Sequence, residues 1–484
     1  MSPFGSCQYN FCFEITATNN LTISLCPEAK QSMTEDQFPQ AFKKREQVHL
    51  GNEWHDFVNA HGQPSPISIR LNPYKVAQEA LKPSIPWTQY GCYLTDRPSF
   101  TLDPTFHAGK YYVQEASSMF LEQAFTQATN RATNLNVLDL CAAPGGKSTH
   151  LLSLMDQKDS LLVSNEVIQS RSAILSENLQ KWGHNNVIVT NNDPKDFQRL
   201  PGFFDVIVVD APCSGEGLFR KDPGAIKEWS EDAVALCSKR QRRILSDVWP
   251  ALKTGGILIY STCTYNSEEN EENLKWLQQE YAVESIPLNV KREWGIITVK
   301  DNSFTGYRFF PHRVQGEGFF LTVLRKTDHQ GESKLNSRTS FTQAPKKIKD
   351  QISEWTLGSD QKTFIIRNDR LQFFPESKER EIESLVKNLR VVSAGTFIAT
   401  VKHDKLIPEH SFALSLSLRR DFFRTFLLEK EEALRYLRKD VVSLPFDQKG
   451  FALVSFENIP LGWVNVLDSR INNLYPSEWR IRMR

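Results

Sequence analysis

Two cysteines stand at equivalent places in the sequence, each just after an apolar run typical of a buried strand. Cys213 lies in DAPCSGEG at 210–217, and Cys263 lies in STCTYN at 261–266. A lone buried cysteine usually acts as a small hydrophobic residue. These two differ because successive strand ends in a parallel sheet face one crevice, where both thiols can approach the same ligand. The pattern therefore predicts thiol chemistry at the edge of a sheet.

The segment that positions these thiols alternates strands and helices from Asn136 onwards. Continuous apolar runs, rather than alternating ones, indicate strands buried on both faces and hence a parallel sheet covered by helices. A long helix is predicted from about Ser230 to Leu252, ended by Gly255 and Gly256. FFLTVLRK at 319–326 predicts a late antiparallel strand at the sheet edge. The strand candidates before it are NVLDLCAA, SLLVSNEV, NVIVTNND, FDVIVVDAP and ILIYSTCTY.

A glycine turn, VLDLCAAPGGKST, connects the first of these strands to a helix. A phosphate-binding P-loop requires GxxxxGK[ST], and Cys141 stands where its first glycine would be, which disfavours an NTPase. The alternative is a nucleoside cofactor held at the strand ends. Glu166 lies 20 residues after Gly146 and suits the ribose hydroxyls, while Asp193, at the end of the third strand, suits an adenine amino group. Each acid alone would be an ordinary cap or loop residue, but the series is typical of S-adenosylmethionine sites.

A thiol beside a methyl donor has a well-defined use on cytosine. Carbon-5 of cytosine is a poor nucleophile until a thiolate adds at carbon-6. An acid must then stabilise the added electron density at N3, and Asp210 is the candidate. The thiolate also needs an electropositive neighbour, for which Lys147 is the nearest choice in these motifs.

The chain resembles the Sun/Fmu-type RNA cytosine-carbon-5 methyltransferases over about 38–330, through SIRLN, YYVQEASSM, LDLCAAPGGKST, NEV, DAPCSGEGLFRKDP and STCTYN. The resemblance implies that Cys263 is the nucleophile and that Cys213 assists release of the methylated product. DNA cytosine methyltransferases use the PC-type cysteine as nucleophile, so the presence of both favours RNA. The implied S-adenosylmethionine contacts are Cys141, Ala142, Ala143, Pro144, Gly145, Gly146, Lys147, Glu166, Asp193 and Asp210.

The C-terminal end resembles a PUA-like RNA-binding module. The resemblance rests on Gly462, Trp463, Asn473, Tyr475 and Pro476, in a bacterial branch that methylates the decoding region of 16S rRNA. Trp463 and Tyr475 are predicted to be domain core. Transfer RNA or another ribosomal position remains open as the target. The predicted RNA contacts are Arg470, Trp479 and Arg480, together with Arg70 and Arg220 as phosphate contacts.

The predicted fold is α/β, with a Rossmann-like class I methyltransferase core built on a mostly parallel seven-stranded sheet. The core at 136–326 is expected to follow a small N-terminal α/β RNA-binding region at 33–135. A polar linker at 327–350 leads to an α+β region at 351–484 that ends in the PUA-like module. Residues 1–32 are expected to be a disordered extension or to precede the natural start at Met33.

Composition restricts the partners. Hydrophobic residues make up 40% of the 484 residues and charged residues 24%, as in ordinary soluble domains, and a net charge of +1 requires any RNA contact to be local. No apolar run approaches a membrane span, and the eight cysteines form no CxxC pair. We expect a cytoplasmic monomer that binds 16S rRNA or the small ribosomal subunit, with no membrane and no metal.

Two other functions fit the same fold. A non-catalytic RNA-binding ribosome-assembly factor would be free to lose Cys263, Cys213, Asp210 or Lys147, and all four are present. An amino-group methyltransferase would need an Asn/Asp-Pro-Pro-aromatic turn where this chain has DAPC.

Overall fold

The computed structural model describes residues 34–76, 84–301, 304–329, 331, 341–403, 405–445 and 448–483. The predicted extension at 1–32 lies outside the described residues, as do residues 330 and 332–340 of the predicted linker. The boundaries of the predicted regions stay a prediction.

The N-terminal region contains a small antiparallel sheet in which β1 pairs with both β2 and β3. Phe42 of the first helix stacks edge-on against Phe219, and Phe57 of the second stacks edge-on against Tyr265. The first helices therefore pack on the two loops that carry the thiols. The elements are α1 (Gln40–Leu50), α2 (Trp54–His61), β1 (Ile67–Leu71), β2 (Gly91–Leu94), α3 (Pro104–His107), β3 (Tyr111–Val113) and α4 (Leu121–Thr129).

The central sheet has the strand order β10-β11-β12-β8-β7-β4-β5-β6-β15, with β9 also paired to β12, and its last strand, β15 (Val391–Ala394), comes from the C-terminal region. The pairs from β6 through β8 are parallel. The strands from the core segment are β4 (Asn136–Asp139), β5 (Leu161–Asn165), β6 (Val187–Thr190), β7 (Phe204–Asp210), β8 (Leu252–Thr262), β9 (Val283–Ser285), β10 (Ile297–Lys300), β11 (Thr305–Phe309) and β12 (Phe319–Lys326).

The apolar runs arise because both faces of this sheet are buried. Val137 and Leu138 are neighbours on β4, yet they belong to different hydrophobic clusters on opposite faces. Helices supply the other side of each cluster; α8, for example, buries Val234, Ile244 and Leu245. The helices of this segment are α5 (Gly146–Leu154), α6 (Gln169–Trp182), α7 (Pro223–Glu228), α8 (Glu231–Val248) and α9 (Glu271–Glu280).

Three details of the predicted sheet were wrong. Within the residues that the structure describes, the sheet has ten strands rather than seven and is mixed rather than mostly parallel, because antiparallel strands extend it on both sides of the parallel centre. Strand β12 is antiparallel to β8 as predicted, but it lies between β8 and β11 and is not an edge. The pair Gly255–Gly256 does not end the long helix, which stops at Val248, but lies within β8. The register of β8 against β7 shifts there, from Leu252 opposite Phe204 to Ile257 opposite Val206. The glycines thus accommodate a bulge inside a strand.

The C-terminal region adds one strand to the central sheet and forms two sheets of its own. Strand β15 pairs antiparallel with β6 at the far edge, and helix α10 begins inside the predicted linker range. The two separate sheets have four strands each, β13-β14-β16-β17 and β18-β19-β20-β21, and β15 lies between β14 and β16 in the sequence. The elements are α10 (Lys346–Trp355), β13 (Lys362–Arg367), β14 (Arg370–Pro375), α11 (Glu379–Asn388), β15 (Val391–Ala394), β16 (Thr396–Lys402), β17 (Lys405–Pro408), α12 (His410–Ala413), β18 (Thr425–Leu427), α13 (Lys430–Arg438), β19 (Gly450–Phe456), β20 (Ile459–Val466) and β21 (Ile471–Asn473).

Candidate active site

The glycine turn at 141–147 connects β4 to α5 at the carboxyl edge of the sheet. Gly145 has φ +116°, a left-handed conformation that favours glycine, and it precedes the first residue of α5. Side chains of α6 hold the turn from outside, because Arg171 donates to the Ala143 carbonyl and Asn178 to the Pro144 carbonyl, each at 2.8 Å. The turn is therefore fixed by its neighbours as well as by its own backbone.

A buried carboxyl group supports this turn from below. Asp139 ends β4, and its Oδ2 accepts a 2.6 Å hydrogen bond from Ser148 Oγ in the first turn of α5. Its Oδ1 is buried without a hydrogen-bond partner. Burial raises the pKa of Asp139 to about 7. The sequence analysis did not single out this residue, although it stands in the VLDLC strand directly before the turn.

The residues after β5 fit a nucleoside. Glu166 is buried, and its Oε1 accepts from Ile168 N at 2.9 Å, while Arg171 lies 3.4 Å from Oε2. Val167 and Ile168 are 56% and 46% exposed, which is unusual for large apolar side chains next to a buried acid. A carboxylate beside exposed apolar side chains offers a hydroxyl acceptor and a surface for a flat base. This chemistry matches the ribose and adenine of S-adenosylmethionine.

Asp193 has a different setting from the one predicted. Strand β6 ends at Thr190, so Asp193 does not end the third strand but caps the short 3-10 helix Pro194–Arg199. Its Oδ2 is paired with Arg243 Nη2 at 2.5 Å, and its Oδ1 accepts from Lys195 N. The capping interpretation of this acid is therefore confirmed, and its predicted contact with adenine stays a prediction.

Lys147 and Asp210 form an ion pair between the glycine turn and the end of β7. Lys147 Nζ lies 2.7 Å from Asp210 Oδ2, and Ser261 Oγ donates to the other carboxylate oxygen at 2.8 Å. Burial alone would lower the pKa of Lys147, but the Asp210 carboxylate more than offsets burial and raises this pKa. The lysine also interacts electrostatically with Cys263. A protonated ammonium thus lies beside both the acid and the thiol predicted from sequence.

The thiol groups of Cys213 and Cys263 are in direct contact. Cys213 Sγ and Cys263 Sγ are 3.1 Å apart, on loops that follow the paired strands β7 and β8, where Asp210 lies opposite Ser261. The hydrogen bond to Cys263 raises the pKa of the Cys213 thiol well above its usual range, and burial adds to this effect. The two sulfurs are thus close enough to share one proton, and the raised pKa favours a protonated Cys213. The structure brings together Cys213, Cys263, Asp210 and Lys147, as the sequence predicted.

Two buried glutamates in the same loops were missed by the sequence analysis. Glu216 and Glu269 are both fully buried and accept backbone hydrogen bonds near the thiols. The only sequence signal was their position, each a few residues after a motif cysteine. Acidic side chains are seldom fully buried unless paired or hydrogen-bonded, so composition alone gave no reason to place them inside.

Three family models match separate parts of the chain. The model described as 16S rRNA methyltransferase RsmB/F matches residues 126–325. The N-terminal domain of 16S rRNA methyltransferase RsmF matches 38–116, and the methyltransferase RsmF PUA domain matches 423–481.

Proteins named ribosomal RNA small subunit methyltransferase F are similar over nearly the whole chain. The one from Cronobacter sakazakii is 31% identical over 469 residues, which cover 91% of this chain and 96% of the relative. The one from Escherichia coli O17:K52:H18 is 32% identical over 473 residues, with the same coverage of 91% and 96%. The chain belongs to the RsmF family of rRNA methyltransferases.

Solved structures agree with the RsmF assignment. A methyltransferase homolog protein from Pyrococcus horikoshii is 30% identical, with a TM-score of 0.51 over 60% of this chain and 95% of that one. NSun6 from Pyrococcus horikoshii with SFG, at 20% identity and a TM-score of 0.50, covers 60% of this chain and 99% of its own, and shows the shared fold. The predicted α/β methyltransferase fold, the S-adenosylmethionine cofactor and the RNA methyltransferase class are confirmed.

Two predicted phosphate contacts of this RsmF chain were wrong. Arg70 is fully buried, and its guanidinium donates to Gln114 and Thr149. The Arg220 side chain is 5% exposed and pairs with Glu317 at 3.0 Å. Neither side chain is available to a phosphate, because each is enclosed by its own partners.

In the PUA domain, the two residues predicted to be core are buried, and the two arginines predicted to contact RNA are exposed. Trp463 and Tyr475 are both 1% exposed and belong to the packed interior, as predicted. Arg470 and Arg480 are exposed, and Trp479 is half-buried against the ring of His410, 4.9 Å between centroids. The two arginines remain candidates for RNA contact.

Neither a metal-binding cluster nor a membrane-spanning helix is present in the part of the chain that the structure describes. Among the described residues, no group of three or more His, Cys, Asp or Glu side chains is arranged to hold a metal ion. No helix in the described part of the chain is long and apolar enough to cross a membrane.

Proposed function

We propose that this RsmF-family chain methylates carbon-5 of a cytosine in the decoding region of 16S rRNA through a covalent adduct with Cys263. The observation that carries the proposal is the pair of thiols 3.1 Å apart beside the Lys147–Asp210 ion pair. The names of the similar proteins support a small-subunit rRNA target. The RNA contacts are assigned to the N-terminal region and the PUA domain, around a cytosine flipped into the crevice.

The first step is activation of the base. Cys263 adds to carbon-6, so a carbon–sulfur bond forms and an electron pair moves onto carbon-5 and N3. The Lys147–Asp210 pair neutralises this charge by moving a proton to N3: Asp210 donates it, and the Lys147 ammonium, 2.7 Å away, supplies it to the carboxylate. Residues 141–147, Glu166, Asp193 and Asp210 would hold S-adenosylmethionine. Carbon-5 then forms a bond to the methyl group as the methyl–sulfur bond of the sulfonium breaks, and S-adenosylhomocysteine is the leaving group.

The last step is release of the product. A base from solvent, water or hydroxide, takes the carbon-5 proton of the methylated adduct; the electron pair re-forms the carbon-5 to carbon-6 double bond and the sulfur of Cys263 leaves as a thiolate. Cys213 assists because its raised pKa keeps a proton on a sulfur 3.1 Å from the leaving one. Without that hydrogen bond the adduct is expected to persist.

The test is methylation of ribosomal RNA. The purified protein is incubated with isotopically labelled S-adenosylmethionine and either small subunits or free 16S rRNA from cells that lack the corresponding methylation, and the RNA is mapped by mass spectrometry. The expected result is a single labelled 5-methylcytosine in the decoding region. Label at N4, on ribose, on transfer RNA added as competitor, or no label at all would overturn the assignment. Cys263→Ala in the same assay is the matched control.

A further inference from the structure

The two thiol loops hold each other through a pair of buried carboxylates. Glu216 lies in the loop after β7, which carries Cys213, yet it accepts backbone hydrogen bonds from the loop of Cys263. Glu269 lies in the segment after β8, which carries Cys263, yet it accepts the backbone N–H of Ser214. The arrangement is reciprocal, because each loop supplies the acceptor for the other.

Glu216 uses both carboxylate oxygens. Its Oε2 accepts from Tyr265 N and Asn266 N, each at 3.0 Å. Its Oε1 accepts from Arg45 Nη2 at 2.7 Å and from Trp229 Nε1 at 2.9 Å. The two backbone donors come just after Cys263, so the carboxylate fixes the course of the chain directly beyond that thiol.

Glu269 is placed in the same way for the other thiol. Its Oε2 accepts from Ser214 N at 3.1 Å and from Gln241 Nε2 at 2.6 Å, and its Oε1 accepts from Asn266 Nδ2 at 2.8 Å. Ser214 follows Cys213 directly. Hydrogen bonds to an ionised acceptor are roughly twice as strong as neutral ones, and both carboxylates are enclosed where water cannot compete.

The loops also touch closely without these side chains. Gly217 N donates to the Cys263 carbonyl at 2.9 Å, and a Cβ on Gly217 would stand only 2.9 Å from the same carbonyl oxygen. The space between the loops is therefore too small for another side chain. One carboxylate from each loop can hold the two closely packed loops in a defined register.

We propose that Glu216 and Glu269 form a reciprocal carboxylate clamp that sets the distance between the two thiols. Glu216 positions Cys263 for bond formation, and Glu269 positions Cys213 for release. Both are positioning residues, because they act on backbone N–H groups beside the cysteines. The assignment of one glutamate to each step rests on the proposed function, whereas the control of the distance between the sulfurs does not.

The distance is tested without RNA. Mild oxidation with diamide joins Cys213 and Cys263 in a disulfide that peptide mass mapping identifies, and the rate of this reaction measures how closely the sulfurs are held. In Glu216→Gln and Glu269→Gln the amide presents only one acceptor oxygen and its NH2 group cannot accept, so some of the donors around each side chain lose their partner, the loops loosen, and the rate is expected to fall about tenfold. Glu268→Gln, a neighbouring exposed glutamate, is the control and should match the unmodified protein.

The steps are separated with RNA. Glu216→Gln is expected to slow adduct formation, and Glu269→Gln to retain formation but to accumulate adduct, each by about tenfold. Unchanged disulfide rates in both variants would overturn the clamp, even if methylation fell. Reduced disulfide rates with no difference between the variants in adduct behaviour would leave the clamp standing and overturn the thiol roles. Should a glutamine variant fail to fold by thermal unfolding, Glu216→Asp or Glu269→Asp replaces it, with an intermediate rate expected.

Discussion

Arg70 Nη2 donates a 2.6 Å hydrogen bond to Thr149 Oγ1, which joins the N-terminal sheet to the helix that follows the glycine turn. The same guanidinium donates to Gln114 Oε1 at 2.8 Å and to the Gly146 carbonyl at 3.3 Å, and lies 4.6 Å from the ring centroid of Trp182. Arg70, which the sequence suggested as a phosphate contact, is thus a fully buried residue with protein partners. Its donors support the first turn of α5, where the cofactor turn ends.

Arg70→Met should therefore weaken both the fold and cofactor binding. Each acceptor left unsatisfied in the interior costs about 1–3 kcal/mol, so the free energy of unfolding should fall by at least that amount. S-adenosylmethionine should also bind more weakly, because the first turn of α5 loses its support. Urea unfolding and calorimetric titration measure the two effects. Arg380→Met, on the exposed face of α11, is the control, and equal behaviour of the two variants would contradict the role of Arg70.

The sequence predicted those parts of the site that follow from strand order. Parallel strands that end side by side bring Asp210 and Cys213 to Cys263, and the structure pairs Asp210 with Ser261 as this reasoning requires. The glycine turn was equally visible, because a strand, two glycines and a helix leave few alternatives. The local sequence pattern, together with the rule that parallel strands end at the same edge of a sheet, was sufficient to place these residues.

The parts that escaped prediction depend on contacts between distant segments. From the sequence alone, Glu216 looks like a polar loop residue, because the backbone N–H groups that donate to it lie about 50 positions away. Arg243 reaches Asp193 from α8, 50 positions further along the chain, so that the capping acid is also part of an ion pair. Strand β15 joins β6 across 200 residues of chain, as Ala394 opposite Ile188 shows, and no local pattern marks that pairing.

The two cysteine variants should differ in the step they block. Cys263→Ala is expected to lose both methylation and the covalent adduct, because no sulfur remains to add to carbon-6. Cys213→Ala should form the adduct and retain it, at close to one RNA per protein, because the departing sulfur loses its proton donor. Denaturing electrophoresis with labelled RNA measures the adduct. The reverse pattern would show that the two roles are exchanged.

Lys147→Met should slow adduct formation far more than it weakens S-adenosylmethionine binding, because the rest of the turn at 141–147 remains. The change removes the charge 2.7 Å from Asp210, and loss of one such stabilising group typically lowers kcat by about 10²–10³-fold. Lys147→Arg keeps the charge and should retain more activity. Single-turnover kinetics measure the step, with the exposed Lys221→Met as control. An unchanged rate of adduct formation in Lys147→Met would exclude a role for the ion pair.

Low pH should destabilise the protein because it protonates buried histidines, and His410 is the clearest example of such a histidine. His410 packs between Tyr475 and Trp479 with both ring nitrogens unpaired, and burial lowers its pKa to about 3, aided by Lys181 and Lys75. Burial likewise lowers the pKa of four other histidines. The pKa falls to about 4 for His61, His107 and His150, and to about 3 for His184.

Because these histidines have a pKa of about 6.5 when unfolded, the unfolded chain binds more protons at acid pH. The stability from their neutral forms is complete above about pH 6.5 and is lost as pH falls toward the folded pKa values of about 4 to 3. Urea unfolding at several pH values between neutrality and this range measures the slope. His410→Phe keeps a ring and removes one titrating group, so its slope should be shallower by about one proton. His55→Phe, at an exposed position on α2, should keep the original slope, and an identical slope in both variants would mean that His410 is protonated in the folded protein.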